Sequence, residues 1–163
     1  MAATDSSKIR LVGAGGRWQV LNERFDPLVI KQATSLSCVA AVGEMLLQSR
    51  GIKLAQYEIL AKIGQPATVQ RLAGCLNEVD VLGEIRWHGL FVATGGLRLL
   101  ARTGVWGAVL REGNPLGHLV VVEDLTKQDL DAIKDPYDAT RYEMQREEFL
   151  LHWGGEAVFR WKF

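Results

Sequence analysis

Gln32-Ala-Thr-Ser-Leu-Ser-Cys38-Val-Ala-Ala-Val-Gly-Glu-Met-Leu-Leu-Gln-Ser-Arg50 is a polar loop that runs into a cysteine and then into an apolar segment. From Val39 to Leu47 only Glu44 is strongly polar, so a helix here has almost no face for water and is predicted to cross the middle of the domain. Gly51 follows, where helices commonly end in a left-handed residue. A cysteine in the first turn of such a helix lies beside unpaired backbone N–H groups and the positive end of the helix dipole, which favour thiolate over thiol. Packing alone accounts for most cysteines flanked by valine, alanine and leucine, so the rest of the chain has to carry the case for a nucleophile.

The chain has 163 residues, 48% of them hydrophobic, enough for one domain with a substantial core. Basic and acidic residues balance at 19 each, which gives no basic footprint for nucleic acid and no polybasic stretch for anionic membranes. No apolar run approaches the ~20 residues of a membrane-spanning helix, and the first residues lack the order of a signal peptide. The expectation is a soluble chain. Its two cysteines, Cys38 and Cys75, form neither a disulfide framework nor a metal-spaced Cys/His cluster, so no metal or cofactor is expected. Cys75 reads as an ordinary packed thiol.

Residues 1–8 are polar and expected to fray. Gly13-Ala-Gly-Gly16 lacks dinucleotide-loop spacing and reads as a turn, with an irregular lead-in to Ile30 broken at Asp26-Pro27. Helical periodicity marks residues 54–63 and 68–79, the second with Thr68 as N-cap, and a short helix is expected over 95–102. Strands are expected at 84–88, 105–110, 119–123, 130–134 and 157–163, with a helix over 145–153 closed by Gly154-Gly155. Helices first and strands second make an α+β domain.

Three histidines could activate Cys38. His152 falls in the last turn of a helix and His88 near a strand end, and both read as structural. His118 opens the run His118-Leu-Val-Val-Val-Glu123 after a turn-rich Gly113-Asn-Pro-Leu-Gly117. If this strand pairs with residues 130–135 so that 120 faces 133, His118 faces Asp135, whose carboxylate can hold the imidazole in the required orientation. Pro136, which cannot donate to a ladder, places Asp135 at the strand's mouth. Gln32 and the backbone N–H of Cys38 supply two donors for an oxyanion.

The order of glutamine, cysteine opening a helix, a distant Gly-His followed by hydrophobics, and then Asp-Pro resembles papain-fold cysteine peptidases. It is most similar to the bacterial branch with the double-glycine leader peptidases of bacteriocin exporters and related toxin or effector domains. The downstream Glu147-Glu148-Phe149 and Trp153-Gly154-Gly155 fit that pattern. The resemblance implies Cys38 as nucleophile, His118 as general base and acid, Asp135 as orienter and Gln32 as oxyanion donor. It implies a helical half, with the cysteine helix central, packed on a C-terminal antiparallel sheet. The peptidase domain would span 31–163 behind a lead-in of 1–30. Family members commonly carry glycine directly after the cysteine; Val39 stands there in this chain and is expected to narrow the cleft or alter the peptide substrate.

The expected activity is peptide-bond hydrolysis on a protein or peptide, by a bacterial effector acting in the cytoplasm or after delivery. Three rivals share the same residues: leader-peptide processing for an exporter, deamidation or transglutamination of glutamine, and an inactive binding module. An immunity protein that blocks the cleft is expected from the resemblance alone.

Overall fold

The computed structural model describes residues 7–12, 16–111 and 117–162. Its frame is an eight-stranded sheet whose neighbouring strands all pair antiparallel, with three helices against one face. Two strands come first, β1 (Ser7–Val12) and β2 (Gly16–Phe25), and three helices follow: α1 (Cys38–Gln48), α2 (Gln56–Ile63) and α3 (Val69–Val79). Next come β3 (Arg86–Phe91), a 3₁₀ turn (Thr94–Gly96), α4 (Leu97–Leu100), β4 (Trp106–Leu110), β5 (His118–Leu125), β6 (Asp131–Asp135), β7 (Thr140–Met144), α5 (Arg146–His152) and β8 (Trp153–Trp161). The sheet order is β1-β2-β7-β6-β5-β4-β8-β3.

Both faces of the central strands are buried. In β5, Leu119 and Val121 join the core under α1, α2 and α3, whereas Val120 and Val122 join a second core with Trp106, Tyr142 and Phe149. That is the physical reason for the unbroken apolar run in β5: alternation puts successive side chains on opposite faces, and neither face meets water. α1 is buried almost all round, and its one charged side chain, Glu44, accepts the backbone N–H of Gln56 at the start of α2 at 2.7 Å. Thr68 caps α3, accepting the N–H of Arg71 at 3.1 Å. Gly89 lets α3 approach β3, since a Cβ there would lie 2.4 Å from the carbonyl oxygen of Val69. Among the described residues no helix is long and apolar enough to cross a membrane.

The main departure from expectation lies at the N-terminus. The segment read as irregular up to Ile30 contains β1 and β2, and β2 is an interior strand between β1 and β7. The inward side chains Trp18 and Val20 alternate with outward ones, but Asn22 takes a positive φ of 54° and the register to β7 shifts between Leu21 and Arg24, which breaks the pattern. β7 was also unexpected. Gly154 and Gly155 do not close α5, because β8 begins directly at Trp153. Residues 13–15 of the expected glycine turn, residues 1–6 and residues 113–116 of the loop before His118 lie outside the described residues.

The β5–β6 hairpin carries a bulge. Val122 pairs with Ile133 and Leu125 with Asp131, so Glu123 and Asp124 together oppose Ala132.

Candidate active site

Cys38 is the first residue of α1, after Ser37 as N-cap with no side-chain hydrogen bond to the helix. The thiol is half-buried and opens on a cleft bounded by the segment Pro66–Val69 and by β4 and β5. Val39 lines the same cleft, as its position after the cysteine requires. Gly117, with φ of 63°, turns the chain into β5 and presents His118.

The ring of His118 is held between two partners. Nε2 lies 2.7 Å from Asp135 Oδ1, with His118 1% and Asp135 0% exposed. Nδ1 is buried without a hydrogen bond of normal geometry, yet the ring interacts with the thiol of Cys38. Thiol and imidazole are thus neighbours that are not locked together, as nucleophile–base pairs often are in unliganded sites. The expected pairing of His118 with Asp135 occurs, but in a different register. Val121 pairs with Lys134, and continuing that ladder sets Asp135 opposite Val120, so the two side chains meet diagonally on one face. The register differs from expectation by two residues, an even number, which is why the face is the same.

Burial is the largest single influence on the Cys38 thiol and opposes ionisation. The polar contact and charge of His118, helped by the N–H of Leu119, outweigh it together with the smaller opposing charge of Asp135, and the thiol lies below its ordinary value. Burial is also the largest influence on His118 and pushes it down, but the charge and hydrogen bond of Asp135, with smaller help from Cys38, raise it to about 10. Both shifts favour a thiolate–imidazolium pair.

Gln32 is buried and does not line the cleft. Its Nε2 donates to the carbonyl of Thr34 at 2.8 Å, which fixes the amide plane, while its Oε1 is buried without a hydrogen bond. The loop is tied on both sides. Gln56 Oε1 accepts the N–H of Ala33 at 3.0 Å, and the N–H of Gln32 donates to Pro136 at 2.7 Å.

The other two histidines are engaged elsewhere. His88 Nε2 is 3.0 Å from the carbonyl of Trp161; His152 contacts the Arg111 carbonyl and Glu148, each at 3.0 Å. Two residues that the sequence did not single out are linked to the carboxylate, one directly and one through the other. Tyr142 donates its hydroxyl to Asp135 Oδ2 at 2.7 Å, and Trp18 donates to Tyr142 at 3.0 Å. The available signal was the alternation of Thr140-Arg-Tyr-Glu-Met144, with Tyr142 and Met144 inward.

No protein-family model matches the chain. It is 39% identical over 149 residues to a protein of Escherichia coli O1:K1:H7 named cysteine protease effector 1; the match takes in 91% of this chain and 30% of that relative, so the chain spans under a third of the relative's length. In structure it is similar to the peptidase domain of Streptococcus ComA, a bifunctional ABC transporter of a quorum-sensing pathway, with a TM-score of 0.67 and 16% identity over 82% of this chain and 97% of that one. It is also similar to a double-glycine-motif protease of an AMS/PCAT transporter, solved with its leader peptide, with a TM-score of 0.65 and 17% identity over 81% and 89% of the two chains. The chain therefore has the fold of the papain-like peptidase domains, and across most of its length it is related in sequence to a protein named as a cysteine protease effector.

Proposed function

We propose that this chain is a papain-like cysteine peptidase that hydrolyses peptide bonds in a protein or peptide target, as a bacterial effector domain. The observation that carries this reading is the double engagement of His118, whose Nε2 meets Asp135 at 2.7 Å while its ring interacts with the thiol that opens α1. The Cys38 thiolate attacks the substrate carbonyl carbon, and the oxyanion forms beside the helix N-terminus, where the N–H of Cys38 and the Gln32 amide are its donors. The imidazolium gives its proton to the leaving amine. Neutral His118 then takes a proton from water, the hydroxide displaces the thiolate, and the acid product leaves. Asp135 holds the ring throughout.

The relative's name supports the effector role, and the neighbour solved with its leader peptide supports an extended peptide as ligand. An immunity protein seated over the cleft and action in a recipient cytoplasm belong to the same reading. The test is a search for new protein termini in a bacterial lysate after adding the wild type or Cys38→Ala. New termini with the wild type alone are expected. Mass gains of about one unit at glutamine without new termini would replace hydrolysis by deamidation, and no change of either kind would leave a binding module.

A further inference from the structure

The proposed centre has a second layer, which comes from the N-terminal strand. Asp135 Oδ1 serves His118 and also accepts the N–H of Tyr137 at 2.9 Å. Oδ2 accepts the Tyr142 hydroxyl at 2.7 Å, and that oxygen accepts the indole Nε1–H of Trp18 at 3.0 Å. The direction of this chain is fixed by chemistry: an indole N–H can only donate, so the phenol's own proton points at the carboxylate. Trp18 also lies against the imidazole of His118, with ring centroids 6.2 Å apart and planes 23° from parallel. One residue of β2 therefore touches the ring with its face and the carboxylate through Tyr142. Trp18 and Tyr142 are 1% and 0% exposed, so no water replaces either contact.

We propose that Trp18 and Tyr142 are positioning residues that fix the Asp135 carboxylate and shield its bond to His118, which makes β2 part of the active centre. This rests on the reading of Cys38, His118 and Asp135 given above. A buried carboxylate with one oxygen unsatisfied is more basic and competes harder for the proton it shares with the imidazole. The donated phenol proton satisfies that oxygen and lowers its basicity, so the shared proton stays on His118 Nε2. The titratable neighbours of the ring are Cys38 from α1, Asp135 from β6 and Tyr137 and Tyr142 beyond it, with Arg111 and Glu156 along the cleft.

The experiment follows two readouts that need no substrate: the titration of ¹⁵N-labelled His118 by NMR, and the rate of Cys38 alkylation by iodoacetamide. Tyr142→Phe leaves Asp135 with more uncompensated charge, so His118 should titrate higher by about half a pH unit. Replacement of Tyr142 by 3-fluorotyrosine keeps the shape and strengthens the donor, so His118 should titrate lower; it decides the matter if the phenylalanine variant does not fold. Trp18→Phe should move His118 in the same direction as Tyr142→Phe, by less, and should add nothing in the Tyr142→Phe background. An unmoved His118 in the folded variants overturns the inference. If instead wild-type Cys38 reacts with iodoacetamide no faster than free glutathione near neutral pH, the reading of the centre itself fails.

Discussion

The backbone N–H of Gln32 donates to the carbonyl of Pro136 at 2.7 Å, which ties the loop before the cysteine to the residue after Asp135. The two sides of the proposed centre, one from the start of α1 and one from the end of β6, are stitched by main chain. Side-chain substitutions at position 32 therefore leave the stitch in place.

Gln32→Ala should lower turnover by about 100-fold with little change in KM if the proposed role is right, because it would remove an oxyanion donor and no contact to the bound substrate. The carbonyl of Thr34 loses the amide but still accepts the N–H and hydroxyl of Ser37 at 3.3 and 3.2 Å, so the loop should hold. Steady-state kinetics beside a thermal melt check this; an equal loss in KM would make Gln32 a substrate-binding residue.

Asp135→Asn should lower kcat by about 100-fold or more, since an amide can present its nitrogen to His118 and select the wrong tautomer. It also puts an N–H₂ among three donors that now converge on the carboxylate, at a cost of about 1–3 kcal/mol. Kinetics and urea denaturation separate the two effects.

His118 is raised from 6.5 to about 10 in the folded chain, so its contribution to stability is full below pH 6.5 and is lost as pH rises through about 10. Cys38 is lowered from 9.0, so its contribution is present above pH 9.0 and is lost as pH falls through the folded value. Urea midpoints measured against pH should show both limbs in the wild type. Cys38→Ala should remove the thiol's share of the acidic limb, leaving that of Asp26 and Asp80, and weaken the alkaline one. Alkylation of Cys38 should persist below pH 9.0, and in His118→Gln it should move up towards an ordinary thiol.

Gly89→Ala should destabilise the fold by about 3 kcal/mol or more, because the new Cβ would meet the backbone of Val69 at 2.4 Å and neither backbone can give way cheaply. Val69 lines the cleft, so residual folded protein should also lose activity. Chemical denaturation and activity per folded molecule check the two parts.

The residues around Cys38 were legible because each has a local signature: an apolar helix after a polar loop, Gly-His before an apolar strand, and Asp-Pro at a strand's end. The diagonal meeting of His118 and Asp135 was half legible. Alternation shows which face a side chain takes, but the register depends on the turn at 126–130 and the bulge before it, neither of which alternation records. Trp18 and Tyr142 were hidden for a different reason. They sit on strands whose other side chains are mostly polar or charged, and they reach Asp135 from 117 and 7 residues away through pairings between the two ends of the chain.

The bulge at Glu123 and Asp124 has a consequence for how this hairpin tolerates changes in length. Two counts meet there: the turn sets Leu125 against Asp131, and the packed half sets Val122 against Ile133. The surplus residue reconciles them, so the parity that puts His118 and Asp135 on one face is set by the core and insulated from the turn. Deleting exposed Asp124 should then regularise the ladder and spare activity, whereas deleting Lys134 should turn Asp135 to the other face and abolish it. Insertions and deletions, and not only substitutions, would have a safe address in this strand.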